Sequence, residues 1–254
     1  LTQLLRRAHG SSSEQLEPDP HLTNAAQLLP PALLLTPGYL GTLAAVRSLG
    51  RSGVRVLTAG TSRWEISSWS KYAARHLLCP PVHKTVELID WLVSFGRQQP
   101  ERHVLLATCD DTAWLYARHR EQLARYFYVS ACDITVLHGL LHKGRLAGHA
   151  TQAGLQTPRT WYQRSNADLA DIADSATFPV LLKPVTQVLS QSGSKGTRVD
   201  DPKDLPRAYA QAASLRHSRA LAEYDPSATA PMVQEFFAGA SSGIYNISSY
   251  VENG

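Results

Sequence analysis

The sequence predicts an α/β protein: a parallel sheet with intervening helices, followed by a smaller, partial α+β domain. Two observations predict it. From Pro31 onward, short apolar runs of strand length alternate with helix-length segments, the order that produces a parallel sheet with right-handed crossovers. The 254 residues, 43% of them hydrophobic, suffice to bury a core divided between one large and one smaller domain.

Element by element, residues 1–29 hold Ser11-Ser12-Ser13 and "EPDP" with little periodic apolar content, and are expected to be a leader of low order. "ALLL" at 32–35 predicts a buried strand, Gly38 and Gly41 a turn, the next stretch a helix ending near Gly50 or Gly53, and 54–59 a second strand. That is one βαβ unit. A strand at 76–79, a helix at 86–97 and the strand "HVLLATCDD", presenting Asp110 and Asp111 at its carboxyl end, continue the alternation. Sites in such sheets lie at the carboxyl ends of strands.

A helix is expected through "DTAWLYARHREQLARY", and a second through "DITVLHGLLHKGRLAGHATQ", closing at Gly154 before the extended "TPRTWY". The first domain is expected to span 30–150 and the second 151–254. In the second, the sequence predicts a helix at 167–175, the strand "FPVLLKPV", a glycine-rich loop, the short strand "GTRVDD" and a helix at 202–216. "PMVQEFFAG" then reads as a strand leading into a last strand within "GIYNISSYVENG".

The net charge of +4 is spread along the chain, which does not indicate a nucleic-acid stripe, leaving nucleic acid a minor hypothesis, and suits a small anionic ligand. Cys79, Cys109 and Cys132 are odd in number and lack C-x-x-C spacing, arguing against a disulfide framework or a thiolate zinc site and for the cytoplasm. No apolar run nears the ~20 residues of a membrane span. The start, without Met or a signal pattern, is expected to be an internal cut.

Lys183 ends an apolar run and precedes Pro184, so its amine is held in place and wants an anion. Downstream, Ser192, Gly193, Ser194, Lys195 and Gly196 form a loop whose backbone N–H groups could cradle phosphates, although it is no Walker A sequence. An ordinary strand connection with a snorkelling lysine explains these residues equally well. Gln234 and Glu235 interrupt Val233, Phe236 and Phe237, which fits either a strand that reads a nucleotide base through its backbone or an edge strand with solvated polar positions.

Taken in order, "LLLTPGYLGTLAAVRSLGRSGVRVL", "HKGRLAGHATQAGLQTPRTW", "FPVLLKP", "SQSGSKG" and "MVQEFFAG" resemble the ATP-grasp superfamily, in particular its carboxylate–amine ligases, over roughly Pro31 to Gly254. The resemblance implies a Rossmann-like pre-ATP-grasp domain followed by a partial ATP-grasp domain. It implies ATP and Mg2+ as cofactors, with Lys143 and Lys183 on the phosphates, Ser192 to Gly196 as a flap and Gln234 to Phe237 as the adenine hinge. The implied chemistry is activation of a carboxylate to an acylphosphate that an amine, or less often a thiol, attacks. Gly38, Tyr39 and Gly41, with Asp110 and Asp111, are candidates for the substrate side, and small-molecule carboxylates and amines are the expected partners, with a homodimer compatible. The family's metal-binding carboxylates fall after Gly254, so no metal ligand is expected within this chain, and the chain alone is expected to bind nucleotide feebly or not at all and to turn nothing over. The acidic side chain that often holds ribose has no counterpart in "AGASSG" beyond Ser241 or Ser242, and Glu252 and Asn253 read as hairpin residues rather than metal ligands.

His138 and His142 stand at i, i+4 spacing but lack the Glu of H-E-x-x-H, so a surface or packing role is expected. Asp110 and Asp111 also read as helix N-caps, and the five tryptophans as core or domain-interface residues. A nucleotide-binding module without turnover is the first alternative function. A dinucleotide-dependent oxidoreductase, supported only by the first βαβ unit, is the second.

Overall fold

The computed structural model describes residues 29–36, 38–162, 166–190, 195–214, 219–243 and 245. They form two compact units. One gathers the described residues up to Pro80 with Trp91–Thr108 and Glu121–Ser130; the other gathers Pro81–Asp90, Cys109–Arg120 and the described residues from Ala131 onward.

The first unit is built on five strands: β1 (Ala32–Leu35), β2 (Val56–Gly60), β3 (Ala73–Leu78), β4 (His103–Leu106) and β5 (Phe127–Val129). Their order is β3-β2-β1-β4-β5 and every pair is parallel. Parallel neighbours need crossovers, supplied after β1 by helix α1 (Leu40–Arg51) and after β3 by helix α2 (Thr85–Arg97). Of the three inner strands, β1 and β2 are buried along their whole length and β4 at alternate residues, and each fully buried leucine contributes roughly 1.5–3 kcal/mol.

The edges depart from expectation. β3 begins at Ala73 rather than at residue 76, because an edge strand tolerates exposed Arg75 beneath its pairing with Leu57. β5 falls just past the predicted helix of 111–126, where no strand is expected from the sequence: it is three residues long, pairs among the described residues with β4 alone and buries only Phe127 fully. That helix is itself two helices, α3 (Asp110–Arg118) and α4 (Arg120–Leu123), parted at His119.

The second unit carries α5 (Ile134–Leu141), α6 (Lys143–Gln152), β6 (Thr160–Tyr162), α7 (Asn166–Ser175), β7 (Val180–Pro184), β8 (Thr197–Val199), α8 (Leu205–Ala213), α9 (Arg219–Tyr224), β9 (Pro231–Glu235) and the short α10 (Ala240–Gly243). The four strands form an antiparallel sheet in the order β6-β9-β7-β8. Strand alternation divides its two faces. Val180, Leu182, Val199 and Val233 pack with Leu169 and Ile172 of α7 and Tyr209 of α8. Met232 belongs to a second cluster with Trp114, Val185, Leu189 and Leu221, against which Ile134 and Leu141 of α5 pack.

The helical run expected across 133–152 is broken at His142, which ends α5 and caps α6 in an extended conformation. Gly154 closes the segment at φ +77°, a conformation open to glycine. The helix expected at 202–216 is a 3-10 turn, Pro202–Asp204, capped by Asp201, followed by α8. Helix α9 falls where none is expected, and the expected leader, apart from Leu29, and the last strand beyond Gly243, apart from Tyr245, lie outside the described residues.

Candidate functional site

Lys143 and Lys183, far apart in sequence, meet at the end of β7. Lys143 opens α6 and is clipped to that strand end twice: its N–H donates to Val185 O at 2.8 Å and its Nζ to Pro184 O at 2.8 Å. Lys183 Nζ donates to Gln234 Oε1 at 2.9 Å, and Gln234 Nε2 donates to Thr160 Oγ1 at 3.1 Å, so three strands hold the amine in position. Burial lowers the pKa of Lys143, the Lys183 charge lowers it further, and Asp110 acts in the opposite direction. Two cations that repel each other in a partly desolvated place favour an anion between them.

Of the expected flap, Ser192, Gly193 and Ser194 lie outside the described residues. Lys195 is exposed. Gly196, immediately before β8, has φ +154°, and a Cβ there would stand 2.9 Å from Leu182 O and 3.0 Å from Lys183 Cγ. Glycine is needed so that the chain can cross Lys183 closely.

The expected hinge is partly spent. β9 lies between β6 and β7, not at an edge, so the edge-strand reading of Gln234 and Glu235 is wrong. Their polarity is used across the sheet: Gln234 as above, while Glu235 N–H donates to Arg159 O at 2.9 Å and the Arg159 N–H donates to Glu235 Oε2 at 3.1 Å. Beyond β9, the Phe236 ring lies 4.8 Å from the Arg198 guanidinium, and Phe237 is exposed.

Asp110 and Asp111 stand in the first turn of α3, beyond β4, where their charges complement the helix dipole; the N-cap is Cys109, so neither aspartate caps. The Asp111 carboxylate accepts from Leu189 N–H at 2.7 Å, and burial, the larger influence, raises its pKa against that bond. In the other unit, Tyr39 is the N-cap of α1, Gly38 faces Glu65, and Gly41 lies beneath Thr108 O. Thr42 Oγ1 donates to Thr36 O at 2.9 Å and lies 2.6 Å from Thr108 Oγ1, tying together the turns after β1 and β4, where the strand order reverses.

His138 and His142 are both buried, so the surface role is excluded. His138 Nε2 meets Asp225 Oδ2 at 2.8 Å, Arg145 donates to the same oxygen at 2.9 Å, and Ser227 N–H donates to Oδ1 at 3.0 Å. Burial alone would raise the Asp225 pKa, but these donors and the Ser227 hydroxyl outweigh it and hold the carboxyl well below its usual range. Among the described residues no three His, Cys, Asp or Glu side chains gather as a metal site. Sequence reasoning missed Asp225, Arg145, Thr160 and Tyr162; "DPS" at 225–227, an aspartate capping a turn that begins with proline, was the one available signal. Trp114 is core, whereas Trp64 and Trp69 are 76% and 68% exposed and stack on each other at 5.4 Å, outside any core.

No family model and no curated protein matches the chain. Among solved structures it is similar to an L-amino acid ligase from Bacillus licheniformis, with 17% identity, a TM-score of 0.55, and 81% of this chain and 44% of that one covered. It is similar also to the carboxyaminoimidazole ribonucleotide synthase of Aspergillus clavatus in complex with ATP, at 14% identity and TM-score 0.57, covering 82% and 48%. A third is the N5-carboxyaminoimidazole synthetase of Staphylococcus aureus with ADP, at 11% and 0.57, covering 82% and 47%. The chain spans less than half the length of these proteins. The fold is that of the ATP-grasp superfamily.

Proposed function

We propose that the chain supplies the nucleotide-binding part of an ATP-dependent carboxylate–amine, or carboxylate–thiol, ligase that works through an acylphosphate. The observation that carries the reading is the meeting of Lys143 and Lys183 at the end of β7. Structural neighbours solved with ATP or ADP support it.

In this reading both ammonium groups take phosphate oxygens, and the segment from Ser192 to Gly196 closes over them. The protein needs little covalent chemistry, because positioning and charge stabilisation dominate phosphoryl transfer. The fixed amines lower the energy of charge developing on the transferred phosphoryl group. Closure keeps water from the acylphosphate. Phe236 and Phe237 offer the base backbone groups and apolar faces. Gly38, Tyr39 and Gly41, with Asp110 and Asp111, remain the proposed substrate side. The described residues offer magnesium no ligand set, although one neighbour was solved with MgADP, and no step is assigned to the metal. A cytoplasmic protein is proposed, and one neighbour's dimer makes a homodimer the assembly to look for.

Calorimetric titration of ATP and of NAD into a protein carrying this chain tests the reading. ATP is expected to bind in preference to NAD and to lose affinity in both Lys143→Ala and Lys183→Ala. Unchanged ATP affinity in those variants, or preference for NAD, overturns it. ADP release from a protein carrying this chain separates a ligase from a binding module without turnover.

A further inference from the structure

A cavity of about 450 Å³ lies within the second unit, lined by His142, Gly144, Arg145, Tyr162, Val185, Ser227, Ala230 and Pro231. None of the expected nucleotide contacts lines it. Its polar wall is made of donors. His142 is 7% exposed, and its Nδ1 accepts from the Arg145 N–H at 3.3 Å, which puts the ring proton on Nε2. That Nε2 is buried and has no partner among the described residues. A buried donor left unmade costs about 1–3 kcal/mol, so the ring is poised for an acceptor.

Two further groups point the same way. Arg145 spends one nitrogen on Asp225 Oδ2, and its remaining donors bond no described residue. Gly144 sits in the first turn of α6, where N–H groups have no partner inside the helix. Lys143 N–H is used on Val185 O and Arg145 N–H on His142, which leaves the Gly144 N–H. The Tyr162 ring lies so close over Gly144 that a Cβ there would stand 2.9 Å from its hydroxyl oxygen. Only glycine lets helix and phenol approach to that distance.

Charge decides between kinds of anion. Asp225 is ionised and already balances the Arg145 guanidinium, and burial holds His142 toward its neutral form. The wall therefore offers N–H groups and a helix N-terminus with little net positive charge, which suits a monoanion and leaves a phosphate dianion under-compensated. Val185, Ala230 and Pro231 form the apolar remainder.

We infer that this cavity is a second binding site, for a small organic monocarboxylate whose carboxylate meets His142 Nε2 and Arg145 and whose short apolar part rests on Val185, Ala230 and Pro231.

The test is a titration of the chain, labelled with 15N-histidine, with sodium butyrate in the absence of nucleotide, so that its outcome is independent of the proposed ATP site. Saturable displacement of the His142 Nε2 resonance is expected, with half-saturation near or below about 1 mM. Butyramide and inorganic phosphate are expected to bind at least roughly tenfold more weakly. Ala230→Leu narrows the cavity without touching its donors or the cap on α6, and should abolish the displacement; Tyr162→Phe should weaken it. An immobile His142 resonance overturns the proposal. So does equal binding of butyrate and butyramide, preference for phosphate, or unchanged butyrate binding in Ala230→Leu.

Discussion

Lys143 Nζ donates to the carbonyl oxygen of Pro184, the residue that follows Lys183, so a helix start and a strand end share one cation-rich corner. Burial and the second charge make the ammonium form of Lys143 less favourable than in an exposed lysine. A bound polyanion reverses that penalty. The folded pKa is therefore depressed in the free chain and rises on binding, and protons are taken up where the pH lies between the two values. Calorimetry of ATP binding at about pH 9 should give heats that differ between buffers of unequal ionisation enthalpy. Equal heats would mean that Lys143 does not meet the phosphates.

Lys183→Met removes a charge-assisted contact worth about 1.5–3 kcal/mol to a bound phosphate, or roughly a 10- to 100-fold loss of ATP affinity. The fold should be little affected, because Gln234 is only partly buried and keeps its bond to Thr160. Affinity and urea midpoint measured on the same preparation separate the two effects. A large fall in the midpoint with unaltered affinity would make Lys183 a structural residue.

What the sequence disclosed follows from how much each residue states on its own. The apolar runs at 32–35 and 180–182 read correctly as strands: the first is buried throughout and the second at Val180 and Leu182, and a strand covered by its neighbours must be apolar there whatever packs on it. Lys183 was legible as a cation at the end of such a run, whereas Lys143 was reached only through the resemblance, because its own segment reads as one unbroken helix. β5 was not: three residues, of which Phe127 alone is fully buried, carry too little pattern to be told from the end of a helix. Nor was the Asp225, His138 and Arg145 cluster, since its members come from α5, α6 and the turn before β9 and only the fold brings them together. Gln234 and Glu235 misled for a related reason. Polar residues in a strand imply an edge unless their partners are known, and here the partners, Lys183, Thr160 and Arg159, lie on the neighbouring strands or just before them.

Gly196→Ala tests why the glycine-rich segment ends where it does. The added Cβ would press on Leu182 O and on Lys183 Cγ in a backbone conformation that disfavours any side chain. A cost of about 1–3 kcal/mol in stability is expected, together with weaker ATP binding as Lys183 is displaced. Unchanged urea midpoint and affinity would show that the segment has room to yield.

Asp225→Asn keeps the shape of the side chain while removing the charge shared by His138 and Arg145. Asp225 is buried but Arg145 is half exposed, so the loss of the charge is expected to cost about 1–3 kcal/mol near pH 7. The sign of the pH dependence is fixed by the depressed folded pKa: the stabilisation is complete above the unfolded value of about 4 and is lost as the pH falls through the folded value. Urea unfolding followed from pH 7 downward should therefore show the native protein and the variant converging below about pH 4, with the native protein carrying the steeper acid slope. Parallel curves would mean that the hydrogen bonds rather than the charge hold this corner, and that the balance of charge along the wall of the adjoining cavity is different from the one drawn above.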